Sequence, residues 1–379
     1  MTDLERINVG LVGAVGRGGV LHRALEHGGA RIHAVCDIRG ERIEECRQRL
    51  GAAEAYTDYG EMLEQSDLDA VIVGTPMDRH VPQSLMALER GVHVLSEVPA
   101  GISIDECREL VGVAGRSEAI YMMAENYIYM RPNMLITEIV RQGLLGTIYY
   151  AEGEYLHELR GLNEQTPWRR IWQTGITGIT YGTHSLGPIL QWLPGDRVER
   201  VCCENSGTHL EDPRGDAYAQ DTAVMLAKTA KGVLIKIRVD MVSDRPHAMT
   251  NYQLQGTDGV YESDRCDQLD TGRIWFRKLS DEVRWHDIAS LMHVRELKQK
   301  YLPAFWRDPP PEAVASGHGG GDYFEVLDWL RSIRGEIACP IGIHAAMDIT
   351  LPGLVSQQSI TQGGEWLPVP DSRDWAKAE

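Results

Sequence analysis

The chain has 379 residues and carries 38 Lys and Arg against 55 Asp and Glu, a formal charge of −17 at pH 7. Hydrophobic residues make up 43% and charged ones 25%, the balance of an ordinary globular protein whose length suggests two domains. The acidic surplus argues against nucleic acid and anionic membrane surfaces as partners, since both attract basic patches, and no apolar run approaches the ~18–20 residues that span a bilayer. A strand-like segment follows Met1-Thr-Asp-Leu-Glu-Arg6 almost at once and leaves no room for a signal peptide. A cytoplasmic protein acting on something small is expected. Seven cysteines, odd in number and without C-x-x-C spacing, read as reduced thiols and not as a zinc site or disulfide framework.

In chain order, Ile7-Asn-Val-Gly-Leu-Val12 is a buried-strand run ending at glycines, and Arg31-Ile-His-Ala-Val-Cys36 is a second. Ala70-Val-Ile-Val-Gly74 and Val92-His-Val-Leu-Ser96 follow, with helical patterns at 40–50 and 81–90 between the strands. Strands alternating with helices imply right-handed βαβ units and a parallel sheet covered on both faces. After about residue 124 the pattern changes. Residues 132–143 read as a helix with Pro in its first turn and Gly at its end. Strand patterns then follow one another at 147–159, 198–205, 222–228, 233–239 and 250–255, more weakly near Trp275 and Trp285, which suggests an antiparallel sheet. Residues 322–334 form a late amphipathic helix, and the proline-bearing tail reads as irregular. The expected architecture is α/β plus α+β: a Rossmann dinucleotide-binding domain over 1–124, then a domain over 125–379 built on an open, mostly antiparallel sheet.

Gly13-Ala-Val-Gly-Arg-Gly18 sits between a strand and a helix, as a dinucleotide loop does. Gly13 supplies the tight turn and Gly18 lets the helix pack closely on the sheet, so that backbone N–H groups face a pyrophosphate. Val15 takes the slot of the middle glycine, with Gly16 and Arg17 beside it. Asp37, 24 residues after Gly13 at the end of the second strand, is placed to accept the adenosine ribose hydroxyls. That favours NAD over NADP, a preference softened by Arg39. Strand C-termini face the ligand crevice of an open parallel sheet, so Thr75, Pro76, His80 and Glu97 are expected beside the nicotinamide ribose. For His80 the competing reading is a helix cap.

The loop, the V-G-T-P after the fourth strand, the H-V-L-S-E-V-P segment and the later sheet domain resemble the Gfo/Idh/MocA oxidoreductases over nearly the whole chain. Typical members carry E-K-P, whose lysine relays the substrate hydroxyl proton; Glu97-Val98-Pro99 lacks it, and Thr180 stands where members carry an Asp before the second-domain histidine. A narrower branch is closer. Ala124-Glu125-Asn126-Tyr-Ile-Tyr129, Gly153-Glu-Tyr155-Leu-His157-Glu-Leu-Arg160, Tyr181-Gly-Thr183-His184-Ser-Leu-Gly187-Pro188 and Gly317-His318-Gly-Gly-Gly-Asp322-Tyr323 are similar to glycoside hydrolase family 109. Its members are NAD-dependent α-N-acetylgalactosaminidases that also lack the lysine.

The resemblance implies retained NAD and a redox-neutral cycle on a carbohydrate. Hydride leaves sugar C3, the ketone acidifies the C2 hydrogen, the aglycone is eliminated, water adds and the hydride returns. Period-two geometry puts Tyr149, Ala151, Gly153, Tyr155 and His157 on one strand face, with open space beside the small residues. A Tyr155–His157 pair can pass protons without a lysine. His184 and Glu125 resemble the other two catalytic positions, and Asn126 joins the cofactor contacts. Trp168, Arg169, Tyr181 and His318 are expected at the substrate; for Trp168 and Arg169 a core tryptophan beside a solvated arginine is an equal reading. No metal is expected from His318 and Asp322 alone. The alternatives are a plain NAD(P)-dependent sugar or cyclitol dehydrogenase and a non-catalytic NAD-binding sensor. The expected partners are a small carbohydrate or glycoside and a second copy, as homodimer or homotetramer through the C-terminal sheet.

Overall fold

The computed structural model describes residues 6–375, apart from 247 and 267–269. Residues 1–5, on which the reading of no signal peptide bears, lie outside them. The contacts divide the chain into two units. One comprises 1–126, 311–347 and 372–379; the other comprises 127–310 and 348–371.

The first unit holds a six-stranded parallel sheet of β1 (Asn8–Val12), β2 (Arg31–Cys36), β3 (Glu54–Tyr56), β4 (Ala70–Val73), β5 (His93–Ser96) and β6 (Tyr121–Met123). Its order β3-β2-β1-β4-β5-β6 reverses direction between β1 and β4, the crevice where dinucleotides bind in such sheets. All four residues of β4 are buried, as a strand covered on both faces requires. The helix Ile104–Arg116 starts where the Ser103 side chain accepts the Glu106 N–H, a cap worth about 1 kcal/mol.

The expected boundary at 124/125 leaves out a returning segment. Residues 311–347 join the first unit because the helix Gly321–Ile333 packs beside His22–His27: the His27 and Tyr323 rings lie 5.4 Å apart. Gly28 abuts Leu330 and Leu327 so closely that a Cβ there would come within 2.4 Å of Leu330. Met123 also donates its N–H to the Ile341 carbonyl.

The second unit holds a nine-stranded sheet among the described residues. Its strands are β7 (Ile148–Leu156), β8 (Val198–Asn205), β9 (Thr222–Thr229), β10 (Leu234–Asp240), β11 (Thr250–Gly256), β12 (Gly259–Ser263), β13 (Gly272–Phe276), β14 (His286–Asp287) and β15 (Leu367–Pro368). They run in the order β14-β13-β12-β11-β7-β10-β9-β8-β15. Every pairing is antiparallel except β7 with β10, which is parallel, so the sheet is mixed. The weak signals near Trp275 and Trp285 correspond to β13 and the two-residue β14.

Two expectations are corrected. The tail is not irregular: Ile343–Thr361 is a 19-residue helix with Pro352 inside it. Residues 349–356 are buried without interruption, so the segment shows no polar face and no amphipathic period. Nor do the small residues of β7 leave open space. The helix Thr183–Gln191 lies directly on them, and a Cβ on Gly153 would sit 3.0 Å from both Ser185 and Ile189. The opposite face of the sheet carries ion pairs between neighbouring strands, including Lys236 with Glu152 and Arg273 with Glu262, and Arg265, just after β12, reaches Glu154. Among the described residues, no helix is long and apolar enough to cross a membrane.

Candidate functional site

The expected site residues fall into two sets, one in each unit. In the first unit the chain turns sharply after β1 because Gly13 adopts φ +74°, where a Cβ would meet the Gly74 carbonyl oxygen at 2.4 Å. Gly18 packs so tightly that a Cβ would come within 2.6 Å of the Val12 carbonyl. The turn continues into a short 3-10 segment, Arg17–Leu21, before the helix begins at His22.

Asp37 closes β2 and is buried. One of its oxygens accepts the Val15 N–H at 3.0 Å and an Arg39 guanidinium N–H at 2.9 Å, the other the Arg39 backbone N–H and Nε. Burial pushes the Asp37 carboxyl up, but these Arg39 and Val15 hydrogen bonds outweigh it and hold it below the usual carboxylate range. A carboxylate has about four lone-pair sites, so a ribose diol bound there would have to displace Arg39, whose side chain is 43% exposed.

At the strand ends, Thr75 donates its hydroxyl to Gln83. His80 is buried with Nδ1 facing the Pro99 carbonyl at 2.8 Å and Nε2 facing the Thr75 carbonyl at 3.0 Å. It therefore sits between the turns after β4 and β5 with a backbone carbonyl facing each ring nitrogen, which is more than a helix cap does. Pro76 precedes the short helical turn Met77–Arg79. Val98, in the lysine slot, is buried.

Arg17 gathers the remaining polar groups of this unit. Its Nε donates to Glu97 at 2.7 Å and its two terminal nitrogens to Asp322 at 2.7 and 2.8 Å. Asn126 donates to the same carboxylate at 2.6 Å, and His318 Nδ1 lies 3.0 Å from it. Burial pushes the Asp322 carboxyl up, yet the hydrogen bond and charge of Arg17, then those of His318, hold it far below the usual range. Glu325, one turn along the same helix, is fully buried with neither oxygen hydrogen-bonded among the described residues. Its carboxyl is raised well above the ordinary value by burial and by the charges of Asp322 and Glu97, with Arg17 opposing and Glu125 adding to the effect. Glu125 is itself fully buried, just beyond β6. No group of three His, Cys, Asp or Glu able to hold a metal occurs among the described residues.

In the second unit β7 delivers Tyr155, and His157 follows on the same face. The Tyr155 hydroxyl lies 2.9 Å from His157 Nδ1. Tyr155 is buried, while His157 is half-buried. The helix Thr183–Gln191 brings His184 in on its first turn, 5.5 Å from the Tyr155 ring, and Tyr181 stands 5.5 Å from Tyr155 and 5.4 Å from His184. Two tyrosines and two histidines expected from the sequence thus meet in one aromatic cluster. Buried Gln220 holds the loop before them, accepting the Gly178 N–H and donating to the Gly178 carbonyl, both at 2.8 Å.

Two members of this cluster were not singled out from the sequence. The Tyr127 ring stacks 4.2 Å from His184, and the Tyr252 hydroxyl donates to the His184 carbonyl. Tyr127 had a signal, since it follows Glu125-Asn126 directly; Tyr252, on β11, had none. Trp168 and Arg169 are part-buried with the guanidinium 4.5 Å over the indole, and Arg169 is engaged by Thr166 and Gln173. Glu125 and His318 belong to the first unit, His318 with its Nδ1 on Asp322.

The first unit fits a dinucleotide: a glycine turn that admits no Cβ, a buried acidic residue at the end of β2 and a sheet reversal beside them. Bound NAD would be held by 13–18 and Asp37. Comparison with known proteins agrees. Residues 7–125 match the model described as oxidoreductase family, NAD-binding Rossmann fold, so NAD is the cofactor. Along 97% of its length the chain is 29% identical to a glycosyl hydrolase family 109 protein of Saccharopolyspora erythraea, covering 83% of that relative. It is 28% identical, again over 97% of the chain, to an alpha-N-acetylgalactosaminidase of Shewanella oneidensis, covering 85% of it. In fold it superposes on levoglucosan dehydrogenase in complex with NADH with a TM-score of 0.79 at 19% identity, covering 97% of this chain and 100% of that one. Residues 129–377, most of the chain, match the model described as glycosyl hydrolase 109, C-terminal domain. By that match the chain belongs to the glycosyl hydrolase 109 family, NAD-dependent enzymes that act on carbohydrates.

Proposed function

We propose that the chain cleaves an α-N-acetylgalactosaminide or a close analogue by a redox-neutral route that begins with oxidation of the sugar hydroxyl at C3. The observation that carries this reading is the hydrogen-bonded Tyr155–His157 pair inside a cluster with Tyr181 and His184, in a chain whose lysine slot holds a buried valine. Bound NAD supplies a reversible hydride acceptor, and the protein supplies orientation and proton transfer.

Tyr155 is the group suited to take the hydroxyl proton, because His157 can relay it from the phenol toward water through its half-exposed ring. With C3 a ketone, the C2 hydrogen becomes acidic; its removal expels the aglycone from C1, and water adds to the resulting double bond. His184, held by Tyr127 and Tyr252, orients the hydroxyl being oxidised. Glu125 serves as the carboxylate for the C2 proton or the attacking water. The aromatic faces of Tyr181 and Trp168 suit a pyranose ring. A second copy is expected on the ion-paired face of the second sheet.

The deciding experiment incubates the protein with p-nitrophenyl α-N-acetylgalactosaminide, following p-nitrophenol and NADH absorbance together. Release of p-nitrophenol without net NADH is expected. NADH accumulating in step with sugar consumption would instead establish a dehydrogenase, and no turnover of any glycoside or free sugar would favour a sensor.

A further inference from the structure

The run Gly317-His318-Gly-Gly-Gly-Asp322 has no part in the chemistry above, yet two of its glycines close on the Asp322 carboxylate and the Asn126 backbone, and the other two turn the chain between them. A Cβ on Gly317 would come within 2.3 Å of Asp322 Oδ2, and one on Gly321 within 2.3 Å of the Asn126 carbonyl oxygen. Gly319 and Gly320 have φ of +59° and +91°, open to glycine at little cost. The run thus delivers the first turn of Gly321–Ile333 onto the backbone beside Asn126, which side chains at these positions would prevent.

What arrives there is Asp322, 2% exposed. It takes both terminal nitrogens of Arg17, residue 17 of a turn flanked by Gly16 and Gly18, in the two-point geometry that only a guanidinium offers. The third donor of Arg17 goes to Glu97, and a third bond to the Asp322 carboxylate comes from Asn126. Arg17, Glu97 and Asn126 are all expected cofactor contacts. A glycine-rich turn is conformationally loose, and fixing it before a ligand arrives saves the ordering entropy that binding would otherwise cost.

We propose that Asp322 is a positioning residue for the cofactor turn: by seating the Arg17 guanidinium it holds the turn 13–18, Glu97 and Asn126 in the arrangement that receives NAD. The proposal rests on the NAD-binding reading of that turn. It makes the C-terminal glycine run part of the cofactor apparatus, though none of its residues needs to touch NAD.

The test is NAD affinity by titration calorimetry on protein freed of cofactor, beside thermal unfolding without NAD. Asp322→Asn keeps the shape and loses the charge; it is expected to weaken NAD at least tenfold, and Arg17→Lys by a similar factor. The double variant is expected to be no weaker than the worse single one, because both break the same seat. A merely structural Asp322 would leave affinity within threefold of wild type, or multiply its loss with that of Arg17→Lys; either result overturns the proposal. Should Asp322→Asn not fold, His318→Asn, which removes one support of the carboxylate, is expected to weaken NAD threefold or more, and unchanged affinity would overturn it equally. Failure of the unaltered protein to bind NAD would instead sink the underlying reading.

Discussion

Tyr155 and His157, two residues apart on the same side of a strand, share a hydrogen bond of 2.9 Å between the phenol and Nδ1. Removing the phenolic oxygen in Tyr155→Phe is expected to lower kcat by about 10²–10⁴-fold, the usual range for general acid–base help, with NAD binding unchanged. His157→Gln is expected to lose less, since water can substitute at its half-exposed edge. Steady-state kinetics on the p-nitrophenyl substrate with calorimetric NAD titration reads both. Equal kcat in Tyr155→Phe and wild type would remove Tyr155 from the chemistry.

The ion pair between Asp37 and Arg39 occupies the oxygens that the adenosine ribose would take if Asp37 holds it, as proposed. Arg39→Ala is therefore expected to tighten NAD up to about fivefold, because a pair with one half-exposed partner contributes only ~0–1 kcal/mol. Asp37→Ala is expected to weaken NAD by about 10–100-fold, from loss of hydrogen bonds to a charged acceptor, and to improve NADP by leaving Arg39 for the 2′-phosphate. Dissociation constants for both dinucleotides check this; NADP binding that falls along with NAD would contradict it.

Gly74 faces the cofactor turn from the end of β4. A Cβ there would lie 2.4 Å from the Gly18 nitrogen and 2.6 Å from its Cα, both backbone atoms with no freedom to swing away. Gly74→Ala is expected to cost about 1–3 kcal/mol of stability and to weaken NAD by shifting the turn. Denaturant unfolding gives the first quantity and calorimetry the second.

Glu325 and Asp322 carry opposite pH signatures. The Glu325 carboxyl is raised, so its contribution is fully present below the unfolded value of about 4.3 and is lost as pH rises toward the folded value. Asp322 is lowered, so its contribution is present above about 3.9 and is lost as pH falls. Glu325→Gln stays neutral throughout. Its unfolding temperature is expected to exceed that of wild type increasingly as pH rises above about 4.3 toward the raised folded value, converging at the acid end. A constant difference across that range would show that Glu325 does not titrate as its surroundings require.

The Rossmann half was legible because each of its long strands is buried on both faces and punctuated by glycine or proline. The three-residue β3 and β6 are too short to show such a run. In the second half, period-two spacing was enough to place Tyr155 and His157 on one face. It said nothing of what covers that face, so the helix Thr183–Gln191 filling the space over Gly153 was invisible. The helix Ile343–Thr361 was lost for the reverse reason: its middle, residues 349–356, is buried without a break, so no polar stripe marks it. Tyr252 and Asp322 reach their places through sheet register and a glycine run, and neither leaves a trace in local spacing. The first sits in a strand paired with β7, and the second closes on an arginine 305 residues earlier.

The parallel pairing of β7 with β10 has a bearing on how the second half assembles. The strand that carries Tyr155 bonds on one side to residues 234–240 and on the other to 250–256, all made long after it. Its own neighbours in sequence offer it no ladder. On the ribosome residues 148–156 must wait, unpaired and β-prone, until about a hundred further residues have emerged, and pairings over such separations form slowly. The Tyr155–His157 hydrogen bond thus forms on a strand that has no ladder until those later partners have been made.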